Sequence, residues 1–420
     1  MIIKSLQMAL SSLIPLAVVF CAQIGVRITY GDDAALALGT AGNILGIVVS
    51  LSVGCFVLSL RNSVESLKRV GRDDAPRVRE SLSEEMSYGY LISAVLTMGA
   101  FLAAFAMMRT DSVDGDLFEP YILAALPLVA ITPLNQTVNG FLMSRGQELK
   151  ILTASALSLM LQLIVLAVVL LRVSDEIYAL TLISAGSSAV TVIVFLYRLR
   201  LLSRLTLGGV ATVFTFTPPR KSDLHRGILE RVIAGLDGII YMTVFLVATS
   251  VAARSSVADG ASVAGLVAFM RLLIIPMKQF GVVGGRMMLS TGEDSDSFRR
   301  FYRKILPISG AAGLLAAGYA LWNAPAPGQA LPLAILVLVQ VILEPFAGVT
   351  YSLLQVLHGP RSVITILVTS YVLFGLSLLL TLGLTVGLTA VGTWAVLLGV
   401  RLIFIGWVQR RARQLTADSR

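Results

Sequence analysis

The chain has 420 residues, 56% of them hydrophobic and only 14% charged, with a mean hydropathy of +0.85. A soluble protein of this length carries roughly 25% charge, so the composition excludes an ordinary soluble globular domain. The formal net charge of +9 raises nucleic acid as a partner, but the Lys and Arg concentrate in alternate short loops, which is the positive-inside bias of a membrane protein, and no nucleic-acid binding is expected.

Apolar runs of about 20 residues, long enough to cross a hydrocarbon core of roughly 30 Å, recur along the chain. They are predicted at 11–31, 34–60, 86–107, 119–143, 151–172, 177–197, 227–252, 261–289, 303–322, 330–357, 362–382 and 386–408. Backbone groups in lipid must be satisfied within their own segment, which selects helices. The polar and apolar alternation of a membrane barrel strand is absent. Met1 to Gly25 resembles a signal peptide, but no A-x-A cleavage site follows, and Phe20 stands where a lipobox before Cys21 needs a small residue. It is expected to be the first span, uncleaved. Cys21 and Cys55 fall in different spans and suggest neither a disulfide framework nor a zinc site.

Loop charge sets the orientation. Arg61, Lys68, Arg69, Arg72, Arg77 and Arg79 follow span two; Arg145 and Lys150 follow span four; Arg198, Arg200, Arg204, Arg220, Lys221 and Arg226 follow span six. Arg299, Arg300, Arg303 and Lys304 follow span eight, Arg361 follows span ten, and Arg410, Arg411 and Arg413 follow span twelve. The opposite loops hold Asp32 and Asp33, then Asp111, Asp114 and Asp116, then Asp175 and Glu176. Both termini are therefore expected inside, N-in and C-in, in a multi-pass protein of the bacterial cytoplasmic membrane.

The longest loop, about 198–226, contains Gly208-Gly209 and Pro218-Pro219. It divides the spans six and six. The expected fold is an all-α integral membrane protein: twelve transmembrane helices in two pseudo-symmetric bundles, 1–205 and 227–420, joined by a cytoplasmic linker at 206–226. Internal echoes support a duplication. Span four ends Asn139-Gly140-Phe141 and stops at Gly146, while span ten runs through Gln355 and stops at Gly359-Pro360. Gly71-Arg72-Asp73-Asp74 after span two echoes Gly292-Glu293-Asp294 after span eight.

With these features the chain resembles the MATE family within the MOP exporter superfamily of multidrug extruders, polysaccharide flippases and lipid II flippases. The resemblance is carried by Pro15 in span one, Gly31 and Ala34-Ala35-Leu36-Ala37, the Gly–Asp turns after spans two and eight, which look like the family's G-x-x-D loop, and the ends of spans four and ten, which look like its G-F-L-x-x-x-G pattern and second-half match. It covers nearly the whole chain, with diffuse motifs. Many members carry an Asp in span one about five residues before that Gly; here Val26 stands at the position, beside Arg27. The resemblance then implies that ion coupling falls to the second half, as in members with acidic residues on spans seven and ten, where this chain has Asp237 and Glu344.

Ionisable residues within spans cost on the order of 3 kcal/mol at the bilayer centre and need a reason to be there. Asp237 lies on span seven and Glu344 on span ten, before Pro345, where a helix break is expected. Either they exchange H⁺ or Na⁺ against substrate, since a low-dielectric cleft favours the neutral carboxyl, or they are structural partners of buried cations such as Lys278. Arg27, Arg271, Lys278, Arg286 and Arg401 also fall within spans. Arg286 and Arg401, near the cytoplasmic end, are expected to snorkel. Arg27 and Arg271 lie at similar depth in the outer third of the two halves. They either line a cationic cavity, or each pairs with a nearby carboxylate or reaches the outer interface. Asn135, Gln136 and Asn139 crowd one helix end after Pro133 and are expected to line a cavity; intramembrane Asn and Gln otherwise bond between helices. His358 is expected at the interface.

No phosphate loop, nucleotide fingerprint, metal-ligand cluster or Ser-His-Asp arrangement is visible, so neither enzyme activity nor a bound cofactor is expected. The expectation is a monomeric secondary-active exporter whose partners are the lipid bilayer and a small-molecule substrate, driven by an inward H⁺ or Na⁺ gradient. A flippase for a lipid-linked oligosaccharide, or an exporter of organic anions of the progressive-ankylosis type, is the alternative. A membrane enzyme such as a glycan polymerase usually shows a long catalytic outer loop, and no outer loop here exceeds about a dozen residues.

Overall fold

The computed structural model describes residues 2–70, 75–107, 115–203, 221–291 and 295–417, and every regular element among them is helical. The helices are α1 (Ile2–Tyr30), α2 (Asp32–Ser50), α3 (Ser52–Val70), α4 (Ala75–Met107), α5 (Gly115–Ser144), α6 (Glu148–Arg172) and α7 (Glu176–Ser203). They continue with α8 (Lys221–Ser255), α9 (Val257–Thr291), α10 (Ser295–Asn323), α11 (Pro327–Ile342), α12 (Gly348–His358), α13 (Arg361–Leu367), α14 (Ser377–Thr385) and α15 (Ala390–Ala417). A short 3₁₀ turn, Glu344–Phe346, joins α11 to α12, and a π-helical segment, Val368–Leu376, joins α13 to α14. The Gly71–Asp74 and Gly292–Asp294 turns, the acidic residues Asp111 and Asp114, and the Gly208-Gly209 and Pro218-Pro219 part of the linker lie outside the described residues.

Among the described residues ten helices are long and apolar enough to cross a membrane, and an eleventh if the bent pair Pro327–Ile342 and Glu344–His358 is one span. The expected third span, 86–107, is helical throughout within α4 but is not among them. Span two is expected as one helix over 34–60; it is interrupted after Ser50 and continues to Val70 as α3. The expected break in span ten is present, a bend of 44°.

Contacts divide the chain into two compact units, Met1–Ile44 with Ile240–Arg420, and Leu45–Ile239. In the first, α1 packs along α9, α9 along α12, and α11 against both α10 and α15. Ala9, Met277, Phe280, Ile305 and Val349 form one of its apolar clusters. In the second, α5 is central, packed by α3, α4 and α7, with α6 on α7. Gly140 lets α5 approach α3 closely: a Cβ there would lie 2.6 Å from the Phe56 carbonyl oxygen and 2.9 Å from the Leu60 nitrogen. Ser59 Oγ donates to the Thr137 carbonyl across the same contact, at 2.9 Å.

The core is apolar, as in a soluble protein, but much of the surface is apolar as well. On α6 an exposed stripe of Met160, Ile164, Val168 and Leu171 follows helical spacing, while Ser155 is buried. Such a stripe fits lipid as the solvent. The Gly residues expected to stop spans four and ten both adopt positive φ: 71° at Gly146 and 85° at Gly359. Positive φ is open to Gly at little steric expense, and a Gly with positive φ ends each of these two helices.

Candidate functional site

The break in span ten builds a buried polar site in the first unit. Pro345 lacks an N–H and cannot continue the ladder. The chain therefore makes a single 3₁₀ turn with φ −105° and ψ −88° at Ala347 before α12 begins. Gln409 of α15 satisfies the turn, its Nε2 donating to the Phe346 carbonyl at 2.8 Å and to Thr350 Oγ1 at 3.1 Å.

Glu344 opens this turn and is fully buried. Its Oε2 is ion-paired with Arg401 of α15, which is itself 2% exposed. Arg401 Nη1 also donates to the hydroxyls of Tyr241, at 2.8 Å, and Tyr371, at 2.7 Å. Tyr371 lies on the π-helical segment, and its ring packs edge-on against Tyr241 at 4.7 Å between centroids. Lys278 Nζ lies 4.3 Å from the Tyr241 ring centroid, a cation–π contact. The Lys278 stem passes beside Gly348, where a Cβ would overlap Glu344 Oε1. Glu344 Oε1 and Arg401 Nε have no hydrogen-bond partner despite their burial. A carboxylate oxygen so placed is an acceptor with spare capacity for a proton or a small cation.

Arg401 corrects the expectation that it snorkels. Its head is not at an interface; it is held by one carboxylate and two phenols. Arg286 is likewise 5% exposed. Depth along a span, the one quantity the sequence supplies, does not say which way the helix turns the side chain.

Asp237 is 6% exposed on α8 and accepts from the Gly238 backbone N–H at 2.7 Å. It belongs to the second compact unit and Glu344 to the first. Arg27 pairs with Asp32 at 2.7 Å and donates to Asn323, which in turn donates to the Ser262 carbonyl at 2.7 Å. Arg271 is half-buried on α9. Asn135, Gln136 and Asn139 are half-buried on α5; Asn135 Oδ1 accepts from Arg198, and Asn139 Oδ1 is buried without a partner. His358 is exposed at the end of α12. Among the described residues no cluster of three or more His, Cys, Asp or Glu is arranged to hold a metal.

Three features escaped the sequence. Tyr241 and Tyr371 carry no signal in an apolar run. Glu85 and Arg231 form a buried ion pair in the second unit, with Asn62 donating to Glu85 at 2.8 Å and the guanidinium 3.8 Å from the Tyr88 ring centroid. Arg198, read as a loop cation, is 5% exposed. A cavity of about 240 Å³ lined by Ile366, Trp407, Arg410, Arg411 and Gln414 holds none of the sequence-derived candidates.

The arrangement is a broken membrane helix carrying a clamped carboxylate inside an all-helical bundle. Solved structures align with the chain along its whole length. A transporter of the MOP superfamily from Pyrococcus furiosus, described as having a reverse polarity of its binding pocket that suggests a different function, aligns with TM-score 0.76 at 14% identity over 100% of this chain and 96% of its own. The chain has the MATE transporter fold. MATE in the straight conformation aligns with TM-score 0.76 at 14% identity, covering 99% of this chain and 95% of that one. An outward-facing multidrug resistance MATE transporter aligns with TM-score 0.73 at 15% identity over 99% and 96%. No family model matches the sequence, and neither does any curated protein. The MATE resemblance read from diffuse motifs is thus borne out at the level of fold.

Proposed function

We propose that the protein is a secondary-active exporter of the MATE type, which extrudes a small organic substrate against an inward H⁺ or Na⁺ gradient. The observation that carries this reading is Glu344: a fully buried carboxylate in a helix break, with one oxygen clamped by Arg401 and the other without a hydrogen-bond partner. In this account Glu344 alternates between two partners. Paired with Arg401 it is the empty state. Loaded with a proton or Na⁺ it is neutralised, the attraction for Arg401 weakens, and the guanidinium is left to Tyr241 and Tyr371. The break beside Pro345 gives α11 and α12 a place to re-angle as the clamp loosens. A ligand shifts such an equilibrium only by its differential affinity for the two states, and the ion supplies that difference here. Asp237 is the second coupling carboxylate.

The wider reading is that α4 and the bent pair also cross, giving twelve crossings with both termini in the cytoplasm of a bacterium, and that bundles 1–205 and 227–420 rock about a central cleft. The second reading, a flippase for a lipid-linked oligosaccharide or an exporter of organic anions, relied on Arg27 and Arg271 as cavity cations. The pairing of Arg27 with Asp32 favours the first.

The test is efflux of a cationic dye from proteoliposomes under an imposed pH or Na⁺ gradient. Gradient-dependent movement lost in Glu344→Gln supports the reading. Equal movement in wild type and Glu344→Gln removes Glu344 from coupling, and no movement from folded protein transfers the case to anionic or lipid-linked substrates.

A further inference from the structure

Arg198 lies five residues before the end of α7 and is followed by the fully buried Leu199 and Leu202. Its partners are neutral: Nη1 donates to Asn135 Oδ1 at 2.5 Å and Nη2 to Ser155 Oγ at 3.3 Å, while the buried Nε–H has no acceptor. No carboxylate among the described residues pairs with it. The other buried arginines with known partners, Arg231 and Arg401, each hold a glutamate. A guanidinium taken out of water without a counter-charge is strongly destabilising, because amide and hydroxyl oxygens offset only part of the lost hydration. Asn139 lies one turn along α5 from Asn135, so the two share a helix face. Its Oδ1 is a buried acceptor, so its amide NH₂ is the group that an anion would meet. Asn135, Gln136 and Asn139 are half-buried, so this face of α5 is not fully closed over.

A fixed guanidinium with a spare N–H, two carboxamides and a hydroxyl, and no competing carboxylate, is the donor set that recognises a tetrahedral or planar oxyanion. We infer that Arg198, with Asn135, Asn139 and Ser155, forms a binding site for an oxyanion of the phosphate class, taken either as a free anion or as a lipid phosphate headgroup. The site shares no residue with the Glu344 cluster, which belongs to the other compact unit, and does not depend on the transport reading. All four residues belong to α5, α6 and α7 of one compact unit.

The test is thermal unfolding of the full-length protein with inorganic phosphate titrated against chloride at matched ionic strength, in neutral detergent. It is repeated in nanodiscs of phosphatidylcholine with and without phosphatidylglycerol. Phosphate should raise the Tm saturably; Arg198→Lys, which loses the planar fork, should weaken the response about tenfold to a hundredfold. A rise with phosphatidylglycerol alone identifies the headgroup as the source. Asn135→Asp supplies an internal counter-charge beside Nη1. It should fold at least as stably as wild type without phosphate and lose the response to either probe, which keeps the test decisive should Arg198 variants fail to fold. No response to either probe in wild type, or an undiminished response in Asn135→Asp, overturns the site.

Discussion

Glu344 and Arg401 are 57 positions apart in sequence and share one buried charge pair. Breaking a buried pair by removing one partner costs about 3–5 kcal/mol, because the other charge is stranded, whereas replacing both is often neutral or stabilising. Arg401→Met alone should therefore destabilise the protein by about that amount. Glu344→Gln with Arg401→Met should recover most of the loss, as read by thermal unfolding of the two singles and the double. A double as unstable as the worse single would mean that Arg401 acts mainly through Tyr241 and Tyr371. The helix break at the acid was legible because Pro345 follows it in an apolar run. The base was not, because position along a helix gives depth and leaves rotation and partner undetermined until packing fixes them. Arg198 was missed for the same reason: a cation five residues from a helix end reads as a loop charge until its burial is known.

At the scale of the element, the helix stops were the readable part. Gly146 and Gly359 were recognised from Gly after an apolar helix end, and both have positive φ. Their requirements differ. Gly359, at φ 85° and ψ 160°, occupies a region essentially confined to Gly, where a side chain costs on the order of 1–3 kcal/mol. Gly146, at φ 71°, is nearer the left-handed helical stop that Asn also adopts. Gly359→Ala should lower stability more than Gly146→Ala, and Gly146→Asn should be milder than either, in the same unfolding assay. Equal losses at all three would show that packing, and not backbone conformation, governs these stops. The π-helical segment around Tyr371 could not have been foreseen. Val368–Leu376 is as apolar as the α-helical residues on either side, so nothing in the sequence marks the wider turn that carries Tyr371 to Tyr241 on α8 and Arg401 on α15.

At the scale of the molecule, apolar run length and alternating loop charge made an all-helical membrane bundle legible, and the fold agrees along its full length with MATE transporters at 14–16% identity. Spans with charged ends or internal breaks were the harder ones, because a hydropathy window averages across a kink. The orientation is open to direct measurement: a fluorescent protein fused after Arg420 should fluoresce, and alkaline phosphatase inserted at Asp175 should be active, in line with both termini inside. The reverse pattern would invert every loop assignment.

The central claim is that Glu344 couples ion entry to substrate exit. Linkage requires the coupling to run both ways, so an outward substrate gradient imposed on proteoliposomes should itself draw H⁺ or Na⁺ inward, reported by a trapped pH- or Na⁺-sensitive dye. The expected result is ion uptake that depends on substrate in the wild type and is abolished in Glu344→Gln while substrate still binds. Substrate-driven ion uptake that survives intact in Glu344→Gln would contradict the account.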